Sequence, residues 1–244
     1  MTTEPTAALT ESEALDLLTH GQIEIEGRLV DASNTTLRAE ITLDDIRARC
    51  VYKPIRGERP LWDFPDGTLA EREFAAYVVS QALGWNVVPP TVLRDGPLGE
   101  GMVQLWMDGD DTVDLARLIR DDLPPLRRMV LFDAIVNNAD RKGGHLIPMV
   151  GGHVYGVDHG VSFHQQDKLR TVLWSWAGDP LPDDAVDVLS EFRARLEGDL
   201  DDALSALLTR REVAAVRRRV DRLLTERHYP EPSGERPAIP WPPF

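Results

Sequence analysis

Cysteine is almost missing from this 244-residue chain: Cys50 stands alone, so no intrachain disulfide can form. That excludes a disulfide-stapled secreted scaffold and fits a reducing compartment. Cys50 sits beside Val51 in a β-prone run and reads as a small buried hydrophobe. Long apolar runs are missing too, and none approaches the ~18 residues a membrane span needs. The first residues, MTTEPTAALTESEALDLL, lack a basic start and a long apolar stretch, so no signal peptide is expected. The expectation is a soluble cytoplasmic protein. Basic residues are in short supply, 27 against 41 acidic ones, a net charge of −14. Such a surface repels phosphate backbones and anionic headgroups, so nucleic acid and constitutive membrane association are not expected. Neither a GxGxxG loop nor a P-loop occurs.

What is present suits a globular chain long enough to bury a core: 42% hydrophobic and 28% charged residues. Thr10 to Glu13 makes a capping-box pattern ahead of a short helix over Ala14–Leu18. From Gln22 to Ile55 the period changes to two. Ile23 and Ile25, then Leu37, Ala39 and Ile41, then Arg49–Tyr52, predict three antiparallel strands with a polar turn at Asp31–Thr36. Pro60–Gly67 reads as loop, and Leu69–Leu83 as a helix stopped by Gly84. Val87–Leu93 and Gly101–Trp106 read as two further strands. Beyond them helices dominate: Thr112–Arg120, Pro125–Asn137, Asp183–Leu196, Leu200–Leu208 and Glu212–Arg227, with a β interruption at Leu146–Val157. Tyr229–Phe244 is proline-rich and extended. The fold class expected is α+β with two lobes: residues 1–108 a β-rich N-lobe with its tail, 109–228 a helical C-lobe, 229–244 a Pro-rich tail.

Polar chemistry is densest from Phe132 to His145, where Asn138, Asp140, Arg141 and His145 crowd the end of an apolar helix. Gly151-Gly152 then signals a two-residue hairpin, since both positions tolerate positive φ. That turn sets His145 directly opposite Asp158, with Cβ atoms roughly 4.5–5.5 Å apart. Asp140 lies just upstream, so an imidazole and one or two carboxylates converge on a divalent-metal and phosphate site; Asp158-His-Gly160 is also an ordinary turn sequence. Lys53 ends an apolar strand, and a lysine there wants a partner. Glu71 and Glu73 open the following helix, and a strand lysine paired to a helix glutamate is how kinases hold ATP phosphates; a rim lysine reaching water is the other reading. Ser33, Asn34 and the following threonines offer hydroxyls and N–H groups to anionic oxygens, or form a plain polar turn.

Strand lysine, helix glutamate, Val87-Val-Pro-Pro90, Asn138-Ala-Asp-Arg141 and Asp158-His-Gly160 occur in an order that resembles the phosphatidylinositol 3-/4-kinase-like superfamily. The chain is also similar to the related HipA-type kinases and, nearer still, to an actinobacterial kinase-like family. The resemblance spans roughly residues 20–180 and rests on five elements in sequence rather than one motif. It implies that Lys53 holds nucleotide phosphates, with Glu73 as its helix partner (Tyr77 fits the family spacing) and Glu71 as the fallback. It implies that Gln104, Leu105 and Trp106 meet adenine, and that Asp140 is the catalytic base or orienter with Arg141 beside it. Asn138 would brace the loop and Asp158 would bind metal. Where the family has a metal-binding asparagine, five residues after the catalytic aspartate, this chain has His145. Magnesium prefers oxygen and imidazole suits manganese better, so the cofactors implied are ATP with Mg2+ or Mn2+.

The activity implied is transfer of the γ-phosphoryl group of ATP to a hydroxyl of a small molecule, lipid headgroup or protein, by positioning and charge neutralisation. The alternative is a catalytically impaired, nucleotide-binding pseudokinase acting as an interaction module. His145, the missing Gly-rich loop and the Pro-rich tail support it. Arg217-Arg-Arg219 with Arg222 reads as a solvated helix face or a local basic patch. Pro237–Phe244 docks either on a partner or on the chain itself. Trp62, Trp85, Trp106, Trp174 and Trp176 are read as core or cleft packing.

Overall fold

The computed structural model describes residues 9–29 and 34–244. It has an antiparallel sheet in its N-terminal part and helices towards its C-terminal part, the α+β class expected. Two compact units divide the chain: residues up to Arg59 with Pro90–Trp106, and Pro60–Pro89 with Met107–Phe244.

In the first unit, helix α1 (Glu11–His20) starts on the expected capping box: Thr10 accepts the Glu13 N–H and the Glu13 carboxylate accepts the Thr10 N–H. Strands β1 (Gln22–Arg28), β2 (Leu37–Leu43) and β3 (Ile46–Pro54) run antiparallel in succession. Alternation turns Leu37, Ala39, Ile41, Cys50 and Tyr52 inward against Leu17 and Leu18 of α1. Cys50 is fully buried as expected, and burial pushes its thiol up to about 12. Ile25 departs from the alternation and is 40% exposed, beside a register shift between Ile25 and Gly27.

Strands β4 (Thr91–Gly96) and β5 (Gly99–Leu105) complete the sheet in the order β1-β2-β3-β5-β4. The sequence predicts β4 from Val87, but the ladder begins at Thr91. Pro89 and Pro90 have no N–H to give, and Pro90 joins only through its carbonyl, which accepts the Leu105 N–H at 2.9 Å.

The second unit is helical. Helix α2 (Leu69–Ala82) groups with it, as do α3 (Leu115–Leu118), α4 (Pro124–Val136), α5 (Asp183–Arg195), α6 (Asp199–Ser205), α7 (Arg210–Glu226) and a hairpin, β6 (Leu146–Pro148) with β7 (Val154–Gly156). The α3 segment is shorter than the expected Thr112–Arg120: Asp114 accepts the Ala116 and Arg117 N–H groups and starts the helix there. Helix α4 is buried from Met129 to Val136 with no polar face, the pattern of a central helix. Among the described residues no helix is long and apolar enough to cross a membrane.

Arg72 explains why α2 belongs here. Its guanidinium is buried, donating to the Ser162 carbonyl at 2.8 Å and to Glu212 of α7 at 2.7 Å, with its carbon 4.8 Å from the Phe64 ring centre. Glu212 is itself fixed by the capping box of α7, accepting the Thr209 N–H and hydroxyl.

The arginine-rich run of α7 is divided: Arg218 and Arg222 are exposed, as a solvated face requires, while Arg219 turns inward. Arg219 is buried and donates to the Ile135 carbonyl at the end of α4, Arg217 pairs with Asp201, and Arg222 pairs with Asp167. Trp85 and Trp176 are core as expected, but Trp62 is 93% exposed, with the Lys168 ammonium 5.2 Å from its ring centre.

Removing one partner of a buried ion pair leaves an uncompensated charge, so Arg72→Ala should lose about 3–5 kcal/mol of stability. Thr209→Ala, a lost cap, should lose about 1 kcal/mol. Urea unfolding of both variants checks the ranking.

Candidate functional site

Helix α4 ends at Asn137, which adopts the left-handed conformation (φ 56°) and sends its side-chain amide to the His164 and Gln166 carbonyls. Its oxygen accepts the Lys168 N–H. One turn earlier, Asp133 lies fully buried on an otherwise apolar helix. A carboxylate in that setting must be paired. Arg141, also fully buried, meets it as a fork: Nε to Oδ2 and Nη2 to Oδ1, both at 2.8 Å.

Asn138 closes the short path between them. Its Nδ2 donates to Asp133 and its Oδ1 accepts the Asp140 N–H at 2.9 Å. The loop is thus pinned on either side of Asp140, whose carboxylate stays partly exposed and takes an ion pair from Lys142 at 3.2 Å.

The rest of the Arg141 guanidinium holds the next loop. Nη1 donates to the Val157 carbonyl at 3.1 Å, and Nη2 lies 2.6 Å from His159 Nε2. Arginine only donates, so His159 accepts through Nε2 and carries its proton on Nδ1. From the other side Glu73, buried on α2, accepts the His159 N–H at 2.9 Å. Asp158 sits between these two anchors in a left-handed conformation, φ 62°, that aspartate tolerates better than most residues. Its side chain is 49% exposed.

The hairpin register differs from the sequence expectation. Leu146 pairs with Gly156 and Ile147 with Tyr155, which puts His145 opposite Val157 rather than Asp158. The cause is the turn: Met149 and His153 close it, so Val150 joins Gly151 and Gly152 in a three-residue loop. Both glycines take positive φ, at 98° and 89°. His145 and Asp158 still meet, side chain to side chain, at 3.4 Å. The Nδ1 atom of His145 faces the Lys142 N–H at 3.5 Å, which leaves Nε2 as the protonated nitrogen towards Asp158. Burial pulls the His145 imidazole below its ordinary 6.5, against the opposing pull of Asp158 and Asp140.

Asn138, Asp140, Arg141, His145, Asp158 and Glu73 all belong to the second unit. Lys53, Asn34, Gln104, Leu105 and Trp106 belong to the first, and Ser33 lies outside the described residues. Lys53 is half-buried on β3 opposite Met102. Asn34 accepts the Arg59 N–H, and buried Gln104 donates to the Thr91 hydroxyl. Leu105 pairs with Cys50, and Trp106 donates its N–H to Arg49.

Three anchors escaped the sequence reading: Asp133, Arg72 and Asn137. Asp133 left a signal, since a charge inside an apolar helix calls for a buried partner nearby.

No family model matches the chain. Protein Rv2133c of Mycobacterium tuberculosis is 45% identical to it over 263 aligned residues, covering 93% of this chain and 94% of that protein. The chain belongs to the Rv2133c family. Among solved structures, it is similar to the Golgi casein kinase with Mn and ADP bound, at a TM-score of 0.57 and 14% identity, covering 88% of this chain and 75% of that one. It is also similar to hydra Fam20 with sugar, at 0.54 and 18%, covering 88% and 87%. These likenesses show a kinase-like fold.

Asp133→Asn leaves the Arg141 charge buried and half-paired, and should lose about 3–5 kcal/mol in denaturant unfolding. A second outcome concerns pH. Because the folded imidazole of His145 sits below 6.5, the unfolded chain binds the proton more tightly. Stability from this group is therefore intact above pH 6.5 and lost as pH falls from there through the folded value. His145→Gln should flatten that part of the stability–pH curve.

Proposed function

We propose that this chain is an ATP-dependent phosphotransferase of the phosphatidylinositol 3-/4-kinase-like group, moving the γ-phosphoryl group to a hydroxyl. The observation carrying this reading is a contrast in burial. Asp133, Arg141, Asn138 and Glu73 are buried and paired, while the two carboxylates they place, Asp140 and Asp158, stay partly exposed, the latter against His145. The kinase-like fold, and the Mn and ADP of one structural relative, support nucleotide and divalent-ion use here.

Among the described residues, no group of three or more His, Cys, Asp and Glu side chains is placed to hold a metal by itself. A magnesium-type ion typically takes one or two carboxylates and fills its shell with phosphate oxygens and water. An exposed Asp158 fits such a nucleotide-borne ion. When bound, the ion neutralises phosphate charge. His145 fits less well as a ligand. Metal-bound histidines donate from their second nitrogen, whereas here Nδ1 is turned to accept from Lys142. His145 then serves to orient the Asp158 carboxylate.

Asp140 orients the acceptor hydroxyl. As the acceptor oxygen bonds to phosphorus and the bond to the β-phosphate oxygen breaks, the hydroxyl proton passes to its carboxylate and on to water. A carboxylate is a weak base, so orientation outweighs proton abstraction. Lys142, paired to Asp140, is placed to neutralise charge on the same side. Lys53 keeps the phosphate-holding role that the resemblance implies. Glu73 orients the Asp158 turn through the His159 N–H. The net charge of −14, together with arginines 217, 219 and 222 being engaged within the fold, favours a soluble small molecule or a protein as acceptor.

Calorimetry with ATP and magnesium, then manganese, tests this on wild type and Asp158→Ala. Metal-dependent binding that weakens tenfold or more in the variant is expected, about 1.4 kcal/mol. Asp140→Asn should keep that binding while ADP release falls on the order of 100-fold. Binding indifferent to metal would favour an interaction module without turnover. No ATP binding under either metal would remove the nucleotide site.

A further inference from the structure

The Pro-rich segment returns to the candidate site. Ala238 presents its carbonyl to the Thr171 N–H and the Trp174 indole N–H, both at 3.0 Å. Pro240 is buried. Pro243 accepts the Gly143 N–H at 2.8 Å. The Phe244 ring lies on Gly143 so closely that a Cβ there would clash with the ring. Gly143 is buried beneath it, midway between Asp140 and His145.

The contact reaches the carboxylate loop through backbone. Arg141 and Thr171 form a parallel bridge: the Arg141 N–H donates to Arg170 and the Val172 N–H to Arg141. The Thr171 N–H, pointing the other way, is taken by Ala238. Residues 141, 171 and 238 thus lie side by side like three short strands, with the segment on the outside. The carboxylate loop gains one fixed acceptor and an aromatic cover at Gly143, and the neighbouring Thr171 gains a second acceptor.

We infer that Ala238–Phe244 is a strap that positions the Asp140–His145 loop, so that the site is complete only when the strap is seated. Its residues touch no reacting atom. Pro243 and Phe244 are positioning residues that act through Gly143 on the spacing of Asp140 and His145. The link from loop position to nucleotide rests on the phosphotransferase reading, whereas the link from strap to loop does not.

The experiment compares wild type, a chain ending at Pro237, Gly143→Ala, and Gly143→Ala with Phe244→Ala. Hydrogen exchange is followed at single amides, and manganese–ATP affinity by calorimetry. Gly143 and Thr171 lose acceptors directly in the shortened chain, so the telling amides are Arg141, Val172 and Val157, whose acceptors lie outside the strap. Seating by the strap predicts at least tenfold faster exchange at those three in the shortened chain and in Gly143→Ala, with α5 and α7 unchanged. It predicts fivefold or more weaker manganese–ATP binding in both. Phe244→Ala added to Gly143→Ala relieves the clash and should recover at least half of the lost protection. Unchanged exchange at the three amides overturns the strap, as does tighter nucleotide binding in the shortened chain, which would make the segment a plug. If wild type binds no nucleotide, the phosphotransferase reading fails and exchange alone decides on the strap.

Discussion

Two fully buried charges, Asp133 and Arg141, set the position of everything in the candidate site. An unpaired carboxylate inside α4 would be prohibitively unfavourable, so the chain must bring a cation to it, and Arg141 is the one eight residues on. Satisfying one carboxylate uses only part of a guanidinium. The remaining N–H groups then demand acceptors of their own, and the Val157 and His145 carbonyls and the His159 ring supply them. One pairing requirement therefore fixes two loops at once. A neutral substitute on both sides would fill the space without dictating where the hairpin ends.

That over-determination lets the segment after the hairpin hold unusual backbone. Asp158 and Phe163 both take positive φ, 62° and 66°, and for a bulky phenylalanine that conformation is strained. The strain is held because every flank is tied. Glu73 takes the His159 N–H, Arg72 takes the Ser162 carbonyl, and Val136 takes the Phe163 N–H. Helix α2 supplies two of these three ties from adjacent residues. Its charged pair faces inward and its placement matters more than its amphipathicity.

The local grammar of the sequence carried most of the fold. The Thr10 capping box, the period-two runs of the first three strands and the glycine after α2 each act within a few residues, where sequence patterns are informative. Failures came where a partner lies far along the chain. Arg219 looked like surface because nothing nearby shows that it will meet the end of α4. Trp62 looked like core or cleft packing because an aromatic ring is usually buried, yet it stays outside over Lys168. In the hairpin, Gly151-Gly152 announced the turn but not that Val150 would join it, and one extra residue shifted every cross-strand pair. His145 and Asp158 came together regardless, since a long imidazole tolerates a slip that a backbone bond does not.

The Arg72–Glu212 tie also bears on how the chain is made. Arg72 leaves the ribosome 140 residues ahead of the carboxylate that will neutralise it. At synthesis rates of about 5–20 residues per second, that is an interval on the order of ten seconds. During it α2 carries a guanidinium destined for the interior with its permanent partner still unmade. Strand β3 waits more briefly for β5, so the sheet can close early. A nascent chain in this state would show a formed sheet, with α2 held by its ties to His159 and Ser162 while the Arg72 charge is neutralised only when α7 emerges.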